Sequence, residues 1–224
     1  MEHPILREKA YTIIKQKLLS HEIQPGVRIR EDLLAREVSM SRTPVREAIN
    51  QLAAEGFIVS LPRKGLFCVT LTRDEFLEFL SVREVLEVLA LEKCIQRVTD
   101  DEVARLDKIL CDYQEMLLSQ RLREASELDS KFHKEIAAFS RNRKLIEFIG
   151  QLEDFMRIAR AMERPDMSPD EQDLSIRQHR AILDCIRRRD AVGGLEAIRA
   201  NIRGMRKKLG IQDSACASSS QPTS

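Results

Sequence analysis

Three side chains in the second half of the chain have the chemistry of a metal site. Asp129 and His133 are four residues apart in a helical pattern, so their side chains lie on one helix face, flanked by the apolar Phe132 and Ile136. His179 belongs to a second apolar helical stripe. A carboxylate and two imidazoles in one interior are unfavourable without a partner, and a divalent metal would satisfy all three.

Other interpretations of these residues are open. Asp129 and His133 could form an ion pair within their helix, with His179 hydrogen-bonded in a polar pocket. Two histidines and a carboxylate also resemble the ligand set of non-haem iron oxygenases, so a metal-dependent enzyme is a remote alternative. No separate general base, nucleophile or glycine-rich phosphate loop stands out, and we therefore do not expect an enzyme.

A second set of polar residues has the chemistry of DNA recognition. Residues 38–50 have the pattern of the turn and recognition helix of a helix-turn-helix, with Ser41 as a good N-cap residue. Arg42, Thr43 and Arg46 lie at the front of the helix, opposite an apolar face. Recognition helices present their first residues to base edges and phosphates, so these side chains are candidate DNA contacts.

The flanking segments complete a winged helix-turn-helix. Apolar spacing predicts helices over 7–20 and 31–37, and Gly56 is expected to end the recognition helix. Residues 57–59 and 66–69 are β-rich runs that predict a two-stranded wing. The candidate DNA contacts in the turn between them are Arg63, Lys64 and Gly65.

Ordinary structural roles are the alternative for these DNA candidates. Arg46 could pair with Glu47 or Glu55 on a solvated helix, and Thr43 could merely support the helix cap.

Beyond residue 72 the sequence predicts helices almost throughout. Thr72 and Glu75 form a capping-box signature at the start of a helix that runs to about Val98. Further helices are predicted over about 101–118, 122–140, 143–162, 170–189 and 191–209. The expected fold is mainly α, with an N-terminal winged helix-turn-helix followed by an antiparallel all-α bundle.

Length and charge agree with two domains. The 224 residues are expected to form a DNA-binding domain over 1–72, a helical domain over 73–210 and a disordered tail over 211–224. The net charge is only +1, but residues 1–72 hold 11 Lys and Arg against 8 Asp and Glu. This basic excess is small, so tight DNA binding is expected to need two copies of the chain.

Sequence features that govern localisation point to the cytoplasm. No run of about 18 apolar residues predicts a transmembrane helix, and the N-terminus lacks the apolar core of a signal peptide. The five cysteines are an odd set without a Cys-x-x-Cys pair, which suits a reducing compartment. We expect a cytoplasmic protein that does not associate with membranes.

Residues 5–70 contain, in this order, Pro25-Gly26, Leu33-Leu34-Ala35, Ser41-Arg42-Thr43-Pro44-Val45-Arg46-Glu47-Ala48, Leu52, Glu55-Gly56 and Gly65. This segment closely resembles the DNA-binding domain of the GntR family of regulators. The resemblance implies that Ser41, Arg42, Thr43 and Arg46 contact double-stranded operator DNA, together with the wing tip at Arg63–Gly65.

The second domain also matches a known pattern, in Val82-Arg83 with Leu86-Glu87, Asp129 with Phe132-His133, Ser140 with Asn142, and Gln178-His179-Arg180-Ala181-Ile182 with Arg189-Asp190-Ala191. About residues 74–209 resemble, more loosely, the FCD effector domain of FadR-like GntR regulators. Many members bind a metal through one Asp and three His, which implies Asp129, His133 and His179 as ligands.

The fourth ligand position falls on Asn201, where the family has His. A neutral amide is a poorer ligand than imidazole for zinc, nickel or copper. The site could therefore hold its metal weakly, select a harder ion or be a relic. The expected metal, if one binds, is zinc, nickel or manganese.

The resemblance also implies an organic-acid effector, and a metal with open positions in a helical cavity would anchor a small carboxylate. Arg83, on the first bundle helix, could present its guanidinium to the same anion. The alternative for Arg83 is an ion pair with Glu87, four residues along the helix.

The predicted function is a DNA-binding transcriptional regulator, and we expect it to be a repressor. A homodimer would present two recognition helices to a pseudo-palindromic operator, and the effector would change their spacing. The alternative is a DNA-binding dimer with no effector or metal, in which the bundle serves only dimerisation.

Overall fold

A computed structural model describes residues 2–160 and 167–208 of the chain. Within these ranges the chain forms nine helices and three strands. Their order is α1 (Glu2–Leu19), β1 (Arg28–Ile29), α2 (Glu31–Glu37), α3 (Arg42–Ala54), β2 (Ile58–Leu61), β3 (Gly65–Cys68), α4 (Arg73–Arg97), α5 (Asp100–Leu118), α6 (Leu122–Phe139), α7 (Arg143–Arg160), α8 (Pro169–Arg187) and α9 (Ala191–Lys208). The predicted disordered tail, 211–224, lies outside the described residues.

The first three helices and the sheet form a winged helix-turn-helix. The sheet has the order β1-β3-β2, and both pairs are antiparallel. Strand β1 adds a third strand to the predicted two-stranded wing, by pairing with Leu66 and Phe67 of β3. Its two residues are too few for an alternating pattern to reveal a strand.

Helix α3 buries the face that its spacing predicts. Ser41 is its N-cap residue, and Gly56, just beyond its end, adopts a φ of +88° that favours glycine. The side chains that face the core and are buried are Val45, Ala48, Ile49 and Leu52.

The remaining helices form the predicted helical bundle. Thr72 and Glu75 make the reciprocal hydrogen bonds of a capping box at the start of α4, and Thr99 and Ser168 cap α5 and α8 in the same way. Loops of two or three residues join most consecutive helices, which makes them antiparallel neighbours. Among the described residues, no helix is long and apolar enough to cross a membrane.

Helix α7 joins the bundle to the winged helix-turn-helix. The ring of Phe155 stacks on Phe57 with centroids 4.6 Å apart, and it also packs against Phe79 of α4 at 5.0 Å. The preceding residue, Asp154, forms an ion pair with Lys15 of α1, with 2.8 Å between Oδ2 and Nζ. The two parts of the chain therefore meet through adjacent residues of one helix.

Candidate DNA interface and candidate metal centre

The predicted DNA contacts on α3 lie together on its exposed side. Ser41, Arg42, Thr43 and Arg46 are all exposed, because the opposite side of the helix is buried in the core. The Ser41 side chain makes no capping hydrogen bond. The first-turn N–H groups of α3 thus lack a side-chain cap, an arrangement that suits a phosphate oxygen.

Arg46 is held by an acid from a neighbouring helix. Its Nε lies 3.1 Å from Oε2 of Glu31, at the start of α2, and its side chain remains 61% exposed. Glu47 and Glu55 were the alternative partners of Arg46 from the sequence, but the residue in this ion pair is Glu31. The ion pair orients the Arg46 side chain without burying it.

The wing presents two cations at a tight turn. Leu61 pairs with Gly65, which leaves Arg63 and Lys64 exposed in the loop between β2 and β3. Gly65 has a φ of +105°, and a Cβ there would lie 3.2 Å from the Arg28 guanidinium. Glycine at this position therefore leaves room for the Arg28 guanidinium against the wing backbone.

The predicted metal ligands converge between α6 and α8. One ligand atom from each of Asp129, His133 and His179 lies within 4.8 Å of the other two. Both imidazoles are buried, and Oδ1 of Asp129 lies 2.9 Å from Nε2 of His179. Nδ1 of His179 lies 2.8 Å from the Ser175 carbonyl, to which it can donate a hydrogen bond.

The hydrogen bonding of the histidines fits a metal. If Nδ1 of His179 donates to the Ser175 carbonyl, the neutral ring turns a lone pair at Nε2 towards the Asp129 carboxylate. That contact lacks hydrogen-bond geometry, and neither ring nitrogen of His133 has a hydrogen-bond partner. At bond lengths of about 2.1 Å, two ligand atoms lie about 3.4 Å apart on a tetrahedral metal and about 3.0 Å apart at right angles on an octahedral one. The carboxylate–imidazole separation of 2.9 Å is nearer the octahedral value.

A buried layer of charge lies behind His133. Nδ1 of His133 is 2.9 Å from Oε2 of Glu87, and Oε1 of Glu87 accepts from Arg83 Nε at 2.5 Å. Arg83 also pairs with Glu153 of α7 at 2.9 Å. Burial would raise the pKa of the Glu87 carboxyl, but Arg83 and His133 lower this pKa well below its usual range. Glu87 is therefore a carboxylate that can orient His133.

The negative charges in this layer outnumber the positive ones when both imidazoles are neutral. Asp129, Glu87 and Glu153 supply three carboxylates, against which Arg83 is the one cation in the ion pairs described above. Counted over Asp129, Glu87, Glu153 and Arg83 alone, the formal charge is −2. A divalent cation would neutralise it.

A cavity of about 120 Å³ opens beside the cluster. Asp129 and His179 line it together with Asn201, so the structure brings the predicted fourth position to the same space. Tyr113 and Gln178 add a hydroxyl and an amide to its wall. The cavity is small and mixed in polarity, which suits a polar ligand of few atoms.

Comparisons with known proteins match both parts of the chain. The profile of the bacterial regulatory proteins of the gntR family matches residues 6–68, and the FCD domain profile matches residues 78–204. This chain belongs to the GntR family and carries an FCD domain. It is a DNA-binding transcriptional regulator rather than an enzyme, as the sequence predicted.

Relatives of the regulator have the same kind of function. It is 34% identical over 144 residues to the Nta operon transcriptional regulator of Aminobacter aminovorans, a match covering 63% of this chain and 67% of the relative. It is 35% identical over 126 residues to the gluconate operon transcriptional repressor of Bacillus licheniformis, covering 55% and 50% of the two chains. Its fold matches that of E. coli McbR/YncC with a TM-score of 0.83 at 21% identity, over 92% and 97% of the two chains.

At the regulator's site, the ion pair of Arg83 with Glu87 was one of two predicted alternatives, whereas Glu153 was not predicted. Arg83 is occupied by Glu87 and Glu153, so the structure contains the ion pair that was the alternative to an effector contact. Glu153 was not singled out, although it interrupts the apolar face formed by Ile149 and Met156 on α7. A buried acid on an apolar helix face is the signal that could have identified it.

Proposed function

We propose that the regulator binds operator DNA as a homodimer in the cytoplasm, with residues 1–72 as the DNA-binding domain and 73–210 as the effector domain. Arg42, Thr43 and Arg46 read base edges in the major groove, while Ser41 contacts a phosphate at the helix N-terminus. The exposure of these side chains on one face of α3 carries this assignment. Arg63 and Lys64 reach the adjacent groove, where Gly65 allows the close turn.

The metal centre is the second part of the proposal. Asp129, His133 and His179 hold a divalent ion, zinc, nickel or manganese, with Asn201 at the fourth position. The observation that supports it is the group of buried imidazole nitrogens without hydrogen-bond partners, both nitrogens of His133 and Nε2 of His179, close to the Asp129 carboxylate. The bound ion would offer open coordination positions to an oxygen ligand.

The effector we propose is a small carboxylate, in particular a hydroxy acid. Tyr113, Gln178 and Asn201 can hydrogen-bond its hydroxyl groups in the cavity. One relative is named as the repressor of a gluconate operon, and gluconate is an acid of this class. Arg83 lies one layer back, where its Nη1 contacts the sulfur of Met205 at 3.1 Å. A direct contact with the effector would require Arg83 to release a glutamate.

Helix α7 connects the cavity to the DNA-binding domain. Glu153 faces Arg83 and the metal centre, while Asp154 and Phe155 contact Lys15 and Phe57 of the winged helix-turn-helix. A ligand that repacks Arg83 therefore moves the same turn of α7 that holds the DNA-binding domain. We propose that this movement changes the spacing of the two recognition helices and lowers operator affinity. Thermodynamic linkage requires the operator to weaken effector binding by the same factor.

The deciding experiment measures metal per chain by mass spectrometry on untagged protein. The wild type and a His21→Ala control, which removes an imidazole outside the cluster, should each hold about one metal per chain. His179→Ala should hold none. Equal metal content in His179→Ala and the control, or no metal in any of the three after incubation with zinc, nickel or manganese, would refute the metal centre.

The DNA assignment is tested separately. Arg46→Ala should abolish binding to an operator selected in vitro from random DNA, and its circular dichroism and melting temperature should stay unchanged because the side chain is exposed. Normal operator binding by this variant would remove the assignment.

Asn201 favours one alternative, a DNA-binding dimer without metal or effector. An amide in place of a fourth imidazole weakens any metal site. The metal measurement separates this alternative from the proposed metal centre, because the alternative predicts no metal in the wild type.

A further inference from the structure

Two bridges of polar contacts run from α6 across α7 to α1. In the first bridge, Asp154 of α7 lies between two lysines. Its Oδ1 is 2.6 Å from Nζ of Lys134 on α6, and its Oδ2 is 2.8 Å from Nζ of Lys15 on α1. Each oxygen of one carboxylate therefore holds a different helix, one from the bundle and one from the winged helix-turn-helix.

The second bridge lies one turn further along α7 and has the opposite order of charge. Nη2 of Arg157 lies 2.8 Å from Oε1 of Glu127 on α6, and it also donates to the Leu19 carbonyl at the end of α1, at 3.4 Å. A ring nitrogen of His21, which follows α1, lies 2.8 Å from the Arg157 carbonyl. Helix C-termini favour a positive charge, so the Arg157 guanidinium stabilises the end of α1.

The reversed order of charge fixes how α1 lies along α7. Lys15 and Leu19 are four residues apart and share one face of α1. Asp154 and Arg157 are three residues apart and share one face of α7. A displacement of α1 by one turn would set Lys15 against Arg157, or the negative carbonyl end of α1 against Asp154. Both contacts repel, so the bridges together favour a single register of the two helices.

The first bridge continues to the recognition helix. Nζ of Lys15 donates to the Tyr11 hydroxyl at 3.1 Å, and this hydroxyl donates to Oε2 of Glu55 at 2.6 Å. Glu55 is the C-cap residue of α3. The contacts that hold α1 therefore also reach the end of the helix that carries the proposed base-reading residues.

Both bridges begin on one side of α6. Glu127 and Lys134 are seven residues apart, close to two turns, so they share a face of the helix. By the same spacing, the metal-site residues Asp129 and His133 lie on the other side of α6. A shift of α6 at the metal cluster would therefore move both bridges.

We propose that the two bridges position the DNA-binding domain for operator binding, with Asp154 and Arg157 as the positioning residues. They hold α1, and through it the recognition helix, in one orientation relative to α6. In a homodimer this orientation sets the distance between the two recognition helices. The proposal rests on the homodimer of the proposed function and names the contacts that set the half-site spacing.

Operator spacing tests the positioning role, because a general loss of stability would weaken binding to every DNA alike. Fluorescence anisotropy compares an operator selected in vitro with the same operator carrying about two extra base pairs between its half-sites. The wild type should prefer the selected spacing by at least about tenfold. Asp154→Asn and Arg157→Met should each reduce this preference to about threefold or less, because a loosened domain adapts to either spacing.

Lys134 gives a test that stays valid if a change at a buried position also destabilises the chain. Its side chain is 35% exposed, so the fold tolerates its replacement. Lys134→Met should reduce the spacing preference, whereas Lys134→Arg should keep it because a guanidinium can still pair with Asp154. Glu147→Gln is the matched control, since it neutralises an exposed acid of α7 that pairs with Lys144 of the same helix. It should keep the wild-type preference.

The outcomes separate the positioning role from the homodimer. An unchanged preference in Asp154→Asn, Arg157→Met and Lys134→Met would overturn the positioning role, as would an equal loss in Lys134→Met and Lys134→Arg. A dimeric wild type without a spacing preference would also overturn it and leave the homodimer standing. A wild type that binds the operator as a single chain, as measured by sedimentation velocity, would overturn the homodimer itself.

Discussion

Glu31 and Arg46 form an ion pair that links α2 to the recognition helix, with 3.1 Å between Oε2 and Nε. The pair fixes the direction of an exposed arginine that we propose reads operator bases. It also sets a negative charge beside the DNA-facing surface, where it opposes phosphate binding. Orientation and charge therefore have opposite effects on DNA affinity, and a single substitution separates them.

Glu31→Gln should lower the ratio of operator affinity to non-specific DNA affinity. Loss of the oriented Arg46 weakens operator binding, by about tenfold, while loss of the negative charge strengthens binding to random-sequence DNA. Glu37→Gln makes the same charge change at the other end of α2 and should strengthen both. Fluorescence anisotropy with the two DNAs at matched salt measures the ratio, and an unchanged ratio in Glu31→Gln would show that the pair does not orient Arg46.

Local signals explain why the helices could be predicted from the sequence. The bundle helices begin within about two residues of the predicted positions, because capping boxes such as Thr72 with Glu75 act over four residues. The ends of α4, α5, α6 and α8 agree equally well, whereas the predicted ends at 162 and 209 lie outside the described residues. The predicted strand boundaries were less accurate, since β2 runs to Leu61 rather than ending at Val59. The short strand β1 was missed because its pairing with β3 is a contact between distant parts of the chain.

The partners of buried charges could not be predicted in the same way. The proximity of Asp129, His133 and His179 could be predicted from the sequence, because each interrupts an apolar helical face. Glu153 follows Arg83 by 70 residues, and only the packing of α7 against α4 makes them neighbours. Helical periodicity shows which face is buried, whereas the choice of partner depends on how the helices pack.

Phe155→Ala should uncouple the unfolding of the two domains. Phe155 stacks between Phe57 and Phe79, so its loss removes the aromatic part of the junction at about 3 kcal/mol, the low end for Phe→Ala because the ring is partly buried. Differential scanning calorimetry should show two transitions in place of one. Phe148→Ala truncates an exposed ring on the same helix and should keep the wild-type profile. Identical profiles in the two variants would show that Phe155 does not couple the two domains.

Burial should make two of the cysteines inert to alkylation. Burial raises the pKa of the Cys68 thiol to about 11 and that of Cys94 to about 12. At pH 8 roughly a thousandth or less of either thiol is ionised, and only the thiolate reacts. Peptide mapping after a short iodoacetamide treatment should show modified Cys111, which is exposed, and unmodified Cys68 and Cys94. Rapid alkylation of Cys94 in folded protein would contradict its buried position in α4.

Asn201→His should strengthen metal binding, because an imidazole replaces a neutral amide at the fourth position of the cluster. Asn201 is buried and lines the same cavity as Asp129 and His179, so the new ring points into the site. Competition with a chromophoric chelator should give a zinc affinity higher than that of the wild type by about tenfold or more. Gln178→His places an imidazole elsewhere on the cavity wall and serves as the matched control. If both variants bind zinc like the wild type, Asn201 does not occupy the ligand position, and the regulator's metal would have to be held by Asp129, His133 and His179 alone.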